Sequence, residues 1–513
     1  MYLAGELLLT LYLYFISYFY TLSVPLSWTA PLRLAGLYAL VHYLCKVLRR
    51  VKFELPGNQG KKKIGFGLLV FFLTTLILGI YYVAYYPGGL IIDTFNQWYQ
   101  VQKGYLLDWH PAIHTLLFLK IPSLICNSLA FVNFLQILWL GLGFAYLGMV
   151  MESWGIPRVW CIAAVVLGLA HPASSIVLSF CWKDTALTIF VIILTAQTLE
   201  ILFSHGRWLK VWYHPVLFGL FGALAALMRH NAILLIGPWM MLVAVLFWKE
   251  IKYYGFLAGI WTLIFMGAIK GPVYKVLHVQ NHPQVSAEML GVPMTVLANV
   301  LVNEPEALNN EARDFLYRIG DQELWTSTYQ EGNWNSAKWM GADISNDVIE
   351  EEGAGQVLRY TLDAAKASPY YTYRAVVKLF EVVWRPAGNE VSWSYQVNVG
   401  DNAYGYETGG VLWLQKVLDV VREISIHGNI FTTWGWNVGF FILLLLFVGI
   451  SRMKSGWQHC LCWVPVLCYD FGTALLLCGP DFRFFSFNTV VTFPLILAML
   501  CEVGGGSSDV ESY

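Results

Sequence analysis

Apolar runs of about 20 residues recur along most of the chain and alternate with short polar connections, a pattern typical of transmembrane helices. One run, 111–126, is shorter, contains Lys120 and begins at a proline, so it is either a span or a helix along the membrane interface. The other runs predict twelve spans, near 4–24, 31–48, 64–86, 131–151, 158–179, 185–203, 215–228, 232–248, 253–270, 431–450, 457–478 and 484–501.

The basic residues of the connections decide how 111–126 is interpreted. Cytoplasmic loops of membrane proteins carry an excess of Lys and Arg. The short basic connections fall on one side only if 111–126 does not cross; they lie at 49–63, 158, 207–210, 249–252 and 452–454. We therefore expect an all-α polytopic membrane protein with about twelve spans, an interfacial helix at 111–126 and both termini in the cytoplasm.

The long segment 271–430 differs from the rest of the chain because it is polar and acidic. Helical periodicity at 306–319 and 370–384 predicts a mostly helical extracytoplasmic domain, and 370–384 is aromatic enough to lie against the membrane. The predicted units are two N-terminal spans with a basic loop (1–60), a transmembrane core with outer catalytic loops (61–270), the outer domain (271–430), C-terminal spans (431–503) and a flexible tail (504–513).

The composition agrees with a membrane protein. The 513 residues are 57% hydrophobic and 13% charged, whereas soluble domains are about 25% charged. A net charge of −1 gives no indication of nucleic-acid binding. The nine cysteines lie almost entirely in apolar runs and 271–430 has none, so neither a disulfide framework nor a zinc site is predicted.

The first predicted outer loop, 87–130, contains two candidate acidic residues. A carboxylate near the lipid boundary is unfavourable unless it is paired or used. Asp93 is either a solvated residue or a helix cap, or a functional acid whose neighbours Asn96 and Gln97 add amides suited to a hydroxyl-rich ligand.

The second acid of this loop lies in "DWHP". Asp108 is interpreted either as a cap of the helix that starts at Pro111 or, together with His110, as part of a binding site.

Three further outer loops supply cations and another acid: "CWKD", "MRHN" and "GPDFRFF". Lysine snorkelling, helix capping and contact with lipid headgroups are the ordinary explanations for such residues. However, a cation on the outer side departs from the positive-inside pattern, and the planar donor fork of arginine suits phosphate. The candidates are Lys183, Asp184, Arg229, His230 and Arg483.

The predicted outer face thus combines carboxylates able to act as a base, cations able to hold phosphate, and many aromatic rings. These groups are the ones that chemistry on a lipid-linked phosphate ester requires, since an acceptor must lose a proton and a departing phosphate must be stabilised.

On these motifs the chain resembles the GT-C superfamily of polyprenyl-phosphate-dependent membrane glycosyltransferases, which includes protein O-mannosyltransferases and lipid A aminoarabinose transferases. "IIDTFNQW" is similar to the family's first acidic outer loop, "DWHPAIHTLL" to its proline-containing element, "SFCWKDTALTIF" to its second acidic loop and "GPDFRFF" to a late arginine-containing element. More closely the chain resembles a bacterial branch with "D…NQ…DWHP" and "KD" signatures. The likeness covers roughly 60–270 and 430–500.

The resemblance implies a role for each matched residue. Asp93 would be the general base of an inverting transfer, and Asp184 would orient the donor or a divalent cation. Lys183, Arg229 and Arg483 would bind phosphate, and His110 would shape the site. Many relatives have two adjacent acidic residues in the first loop, whereas Thr94 follows Asp93 here. This departure weakens the expectation of a metal, which such enzymes do not all use.

The leading hypothesis is therefore a plasma-membrane glycosyltransferase that moves a sugar from a polyprenyl-phosphate donor to an extracytoplasmic acceptor, a cell-wall or surface glycan. Two alternatives stay open. A transporter or flippase of lipid-linked saccharides would have polar residues and broken helices near the bilayer midplane. An O-antigen-ligase-like transferase would use a diphosphate donor.

Overall fold

The fold is nearly all-α, as the apolar pattern predicts. The computed structural model describes residues 2–22, 29–280, 288–340, 346–388 and 395–503. The first half contains α1 Tyr2–Phe19, α2 Ala30–Leu48, α3 Ile64–Ala84, α4 Ile92–Lys103, α5 Ala112–Ser123, α6 Leu129–Ser153, α7 Arg158–Ala170, α8 Pro172–Leu178, α9 Lys183–Phe203, α10 Tyr213–Met228, α11 Ile233–Leu246, α12 Trp248–Ile251 and α13 Tyr253–Val276.

The second half contains the polar segment and the C-terminal helices. These are α14 Gly291–Asn303, α15 Asn310–Ile319, α16 Gln322–Thr328, α17 Trp334–Met340, α18 Asn346–Glu352, α19 Ala354–Ala367, α20 Pro369–Leu379, α21 Glu381–Trp384, α22 Leu412–His427, α23 Ile430–Thr433, α24 Val438–Arg452, α25 Val464–Ala474 and α26 Phe487–Leu500. Two short parallel strands, β1 Phe53–Leu55 and β2 Cys501–Val503, join the early and late parts of the chain.

Among the described residues, six helices are long and apolar enough to cross a membrane, and up to eight spans result if each of two bent pairs counts as one. The six are α1, α3, α6, α9, α13 and Phe482–Leu500. By length and composition alone, the predicted number of twelve is not reached, since α10, α11 and α25 are shorter and α2 is less apolar. Helix α5 is likewise short, and the interfacial placement of 111–126 stays a prediction.

Two predicted spans are bent rather than continuous. The run 158–179 bends by 75° between α7 and α8, and the run 431–450 bends by 94° before α24. The breaks contact each other, because His171 Nε2 lies 2.8 Å from the Thr432 carbonyl oxygen. A Cβ added to Gly435 would lie 2.2 Å from the His171 ring. The close approach therefore leaves no room for a side chain at position 435.

Helix α9 is the central element and positions the candidate site. It is buried at nearly every position and packs against α6, α10 and α26. Its first two residues, Lys183 and Asp184, therefore begin a helix that is enclosed on all sides, which holds their side chains in a fixed place.

The polar segment is mostly helical, as expected. Its α14, α15 and α19 share an apolar cluster that includes Met294, Phe315 and Tyr360. The predicted helix at 306–319 corresponds to α15, and 370–384 forms α20 and α21. Val377 and Trp384 of these two helices pack against Ile16 of α1, a candidate span. The division into domains stays a prediction, and the predicted tail at 504–513 lies outside the described residues.

Candidate functional site

The start of α9 forms the more buried of two ion pairs; in the other, the arginine and aspartate side chains are 17% and 23% exposed. Asp184 is 2% exposed, and its Oδ1 pairs with Nη1 of Arg229. Arg229 follows the last turn of α10 in an extended conformation and also donates from Nε to Asn231 Oδ1 at 3.1 Å. Asn231 in turn donates to Thr473 Oγ1 at 2.9 Å, so α10, α11 and α25 all help to hold this guanidinium.

The second ion pair joins α4 to the loop before α26. Asp93 lies in the first turn of α4, and its Oδ2 is 3.2 Å from Arg483 Nη1. Asp481 fixes the arginine by accepting the backbone N–H of Arg483 at 2.9 Å and lying 3.3 Å from its Nε. Tyr395 donates its hydroxyl to Asp481 at 2.7 Å, which adds a contact from the polar segment.

The two pairs meet at one aromatic ring. The Phe484 centroid is 4.2 Å from Cζ of Arg229 and 5.0 Å from Cζ of Arg483. Both distances are within the range of a cation–π contact. The indole of Trp182 lies 5.2 Å from Cζ of Arg483 on another side. We call Asp93, Lys183, Asp184, Arg229 and Arg483 the ion-pair cluster.

Lys183 connects this cluster to His110. Its Nζ lies 3.1 Å from His110 Nδ1. Since an ammonium group can only donate, this imidazole nitrogen is the acceptor and Nε2 carries the proton. Burial, followed by the charge of Lys183, lowers the pKa of His110 to about 3, so the ring is neutral at physiological pH. The Nε2–H is buried and has no hydrogen-bond partner among the described residues.

Asp93 is held in its ionised form. Burial alone would raise the pKa of its carboxyl, but the nearby charges of Arg483 and Lys183 outweigh burial and bring the pKa to about 2. Charged partners are expected to have this effect when they lie within a few ångströms of a carboxylate. Asp93 is therefore an anion at every physiological pH.

A cavity of about 390 Å³ adjoins the cluster. Its polar wall includes Lys183 and Arg229, and its apolar wall includes Ile233 and Leu476. These two apolar side chains are 43% and 38% exposed. We call it the side cavity, because it leads from buried cations to an exposed apolar surface.

Several buried polar atoms around the cluster have no hydrogen-bond partner among the described residues. Besides His110 Nε2, these include Asp184 Oδ2 and Trp182 Nε1. Buried polar groups are usually satisfied, so these atoms suggest a further partner in the working state, although none of the three residues lines the side cavity itself.

The remaining predicted residues are placed differently. Asp108 accepts the backbone N–H of Ala112, the first residue of α5, at 2.9 Å and lies 4.0 Å from Lys270, although the residue at the N-cap position is Pro111. His230 lines the side cavity. Asn96 is exposed, and Gln97 is buried and bonded to other partners, so the structure does not bring these two amides to the ion-pair cluster.

Gln97 donates to His114 Nδ1 at 2.9 Å and to Thr115 Oγ1 at 2.8 Å. Its amide therefore stabilises the contact between α4 and α5. The composition of "DTFNQW" could not show this, because it does not reveal which way each side chain points.

Sequence reasoning missed two residues of the site that come from the polar segment. Tyr395 reaches Asp481, and Glu288 lines the side cavity while its carboxylate pairs with Lys338. No local signal marks either residue. Asp481 is part of the motif "GPDFRFF" and precedes Arg483 by two residues. This short spacing is the sequence signal for a contact between the two side chains.

The donor set does not fit a divalent cation. In the described ranges, no group of three or more His, Cys, Asp or Glu side chains is arranged to hold a metal ion. The two acids that the family resemblance would offer, Asp93 and Asp184, are each paired with an arginine. We therefore derive no step through a metal.

Comparisons of the chain with protein-family models, with curated proteins and with solved structures find no match. The function must therefore be inferred from the chemistry of the site.

Proposed function

We propose that this protein is a membrane glycosyltransferase that moves a sugar from a polyprenyl-phosphate donor to an extracytoplasmic acceptor, a cell-wall or surface glycan, with inversion at the anomeric carbon. The observation that carries the proposal is the position of the side cavity. It connects Lys183 and Arg229 with the exposed apolar side chains Ile233 and Leu476. A lipid-linked phosphate needs cations beside its phosphate group and an apolar surface beside its lipid chain.

The cations would hold the donor phosphate. Arginine binds phosphate through two parallel N–H groups, and lysine adds a point charge. As the glycosidic bond breaks, negative charge increases on the phosphate oxygen, and fixed cations in a water-poor site stabilise that charge. The lipid chain would leave the cavity past Ile233 and Leu476.

Asp93 would be the general base. Its carboxylate would take the proton of the acceptor hydroxyl while the hydroxyl oxygen attacks the anomeric carbon. The bond from that carbon to the phosphate oxygen breaks, and the polyprenyl phosphate leaves with the electron pair.

A carboxylate with a pKa of about 2 is a weak base, and its low pKa depends on Arg483 and Lys183. A donor phosphate that attracts these cations would weaken their hold on Asp93 and raise its pKa towards the working pH, where general-base catalysis is more effective. In this proposal, donor binding activates the base.

The finer topology belongs to the same proposal: twelve spans, both termini in the cytoplasm and the ion-pair cluster on the extracytoplasmic side of the plasma membrane. It is supported by the opposite end of α9. There, Lys62 pairs with Glu200, and Lys63 and Arg158 pair with Glu152. The short basic connections that the positive-inside rule places in the cytoplasm are thus at the far end of the helix from Asp184.

One observation favours the transporter alternative. Broken helices are typical of transporters, and this chain has two that contact each other, at His171 and Gly435. The charged residues of the site, however, are at helix ends such as the start of α9 and the end of α10.

The decisive experiment incubates the purified protein with a panel of polyprenyl-phosphate sugars and a glycan acceptor, and measures release of polyprenyl phosphate. Release that depends on the acceptor supports the transferase. Movement of labelled lipid-linked sugar across vesicles without release of lipid phosphate would support the transporter instead. Turnover only with polyprenyl-diphosphate donors would replace the proposed donor class by that of an O-antigen-ligase-like enzyme.

A further inference from the structure

The end of the molecule opposite the ion-pair cluster contains a second cavity, of about 650 Å³. It is enclosed by the end of α9, the connection after α2, the segment after α24 and strand β2. Its lining includes Arg49, Lys52, Lys454, His459 and Glu502. We call it the basic pocket.

The lining carries more positive than negative charge. Arg49, Lys52 and Lys454 are permanent cations, and Glu502 is the one carboxylate among the lining residues. Glu502 lies 2.8 Å from Lys52 Nζ. Arg49 pairs with Glu6, which is fully buried beside the pocket. Lys454 is exposed, and its Nζ lies 5.7 Å from the centroid of the Tyr2 ring.

Further buried donors lie at this end without partners. Arg452 is 0% exposed, and its Nε and Nη1 have no hydrogen-bond partner among the described residues, although Nη1 lies 3.8 Å from Glu502. Arg49 Nε and His459 Nδ1 are also buried without a hydrogen-bond partner in the described part of the chain. Arg452 does not itself line the pocket, and its Nη2 donates to the carbonyl oxygens of Leu48 and Val51. Arg49 does line it, and an anion in the pocket would accept from its unsatisfied Nε–H, which is otherwise unfavourable when buried.

From this arrangement we infer that the basic pocket binds a phosphate ester. Its volume is within the usual range of about 300–1,000 Å³ for small-molecule sites. Arginine and lysine side chains are the preferred phosphate ligands of proteins. Basic pockets between the ends of membrane helices bind the headgroups of anionic lipids, and a soluble phosphate compound offers the same chemistry.

The test uses the full chain in lipid nanodiscs and compares two sources of phosphate. One arm measures binding of labelled phosphatidylglycerol against a background of phosphatidylcholine, and the other measures binding of inorganic phosphate. The variant is Lys454→Gln, which removes one lining charge without breaking an ion pair of the core. The matched control is Lys249→Gln, which removes an equally exposed charge outside the pocket.

Lys454→Gln is expected to weaken binding about fivefold, the usual effect of one lysine near anionic lipid. The control should change binding by less than about twofold, as expected for an exposed charge outside the site. Selective loss of phosphatidylglycerol binding identifies a lipid headgroup, and selective loss of phosphate binding identifies a soluble ester. Equal effects of the two variants, or no binding of either ligand by the unaltered protein, would overturn the inference.

Discussion

Helix α9 has a buried carboxylate near each of its ends, and the surroundings of the two differ. Glu200, near the end of the helix, lies 2.6 Å from Lys62 Nζ and accepts hydrogen bonds from Gln59 at 2.9 Å and Trp154 at 2.8 Å. Asp184, at the beginning, pairs with Arg229 through one oxygen, and its other oxygen has no hydrogen-bond partner among the described residues.

The difference is one of degree. Glu200 Oε1 also has no hydrogen bond among the described residues, but it faces the Lys62 ammonium group, and Oε2 accepts two hydrogen bonds. A buried carboxylate with more partners is held more firmly, and one with fewer is more available to a ligand. Glu200 joins α6, α9 and the basic connection before α3. Asp184 does not itself line the side cavity, but its partner Arg229 does. The same helix thus anchors the fold at one end and the proposed site at the other.

The largest expected effect is that of Asp93→Asn at the cluster end. The amide cannot accept the acceptor's proton, so kcat should fall about 10³-fold, within the range usual for loss of a general base. The variant should still fold, because the amide can keep a hydrogen bond to Arg483. The measurement is release of polyprenyl phosphate, with the exposed Asp314→Asn as control. Full activity of Asp93→Asn would refute its role as the base.

The next effect concerns stability. Arg229→Met should lower the free energy of unfolding by about 3 kcal/mol, because Asp184 is left buried without a charged partner. At the other end, Lys62→Met should cost about 1 kcal/mol, because Glu200 keeps its bonds to Gln59 and Trp154. Both values can be measured by denaturant unfolding in detergent micelles.

The double variant Asp184→Asn/Arg229→Met separates stability from function. Removing both charges should recover most of the lost stability, while transfer stays as low as in Arg229→Met. Recovery of activity together with stability would mean that the pair only supports the fold.

Glu200→Gln should have a smaller effect. The amide oxygen can still accept from Gln59 and Trp154, so the expected loss is about 1 kcal/mol of stability. Because Glu200 is far from the side cavity, kcat/KM per folded molecule should stay within about twofold of the original, as expected for a residue that does not contact substrate. A large change in kcat/KM at normal stability would remove the contrast between the two ends of α9.

Most charged residues of the cluster could be predicted from the sequence. Asp93, Asp184, Arg229 and Arg483 are far apart in the chain, but each lies next to an apolar run, and the predicted threading places all these ends on one side. Helix ends at one side of a bundle are close in space, which explains why four separate loops converge.

The rest depended on information that the local pattern does not contain. The bend at His171 is an exception, because Pro172 disfavours a helical conformation at the residue before it and is visible in the sequence. The contact between the two bends, in which Gly435 approaches the His171 ring, joins residues that are distant in the chain. Tyr395 and Glu288 reach the site through the tertiary fold of the polar segment. A hydropathy pattern describes apolar residues along the chain. It does not report contacts between distant helices or contacts from the polar segment to the site.

The smallest expected effect is a pH dependence that separates the free protein from its donor complex. The pKa of Asp93 is lowered from 3.8 to about 2. In the free protein its carboxylate therefore stays ionised above pH 4 and is protonated only as the pH falls towards 2. His110, with a pKa of about 3, stays neutral over the same range. Neither group should therefore change kcat/KM between pH 5 and 8, since kcat/KM reports the pKa values of the free enzyme.

The acidic limb of kcat should lie at higher pH than that of kcat/KM, because kcat reports the donor complex, in which the phosphate competes for Arg483 and Lys183. Rate profiles of the unaltered protein from pH 4 to 9, with a saturating and a low donor concentration, should show the acidic limb of kcat and a kcat/KM without one. Asp93→Glu serves as the control, since a limb that belongs to this carboxylate should move when the acid is replaced. A kcat that is also constant over this range would show that donor binding leaves the charges around Asp93 unchanged. In that case donor binding would change the charges at the Asp184 end of α9 no more than those at the Glu200 end.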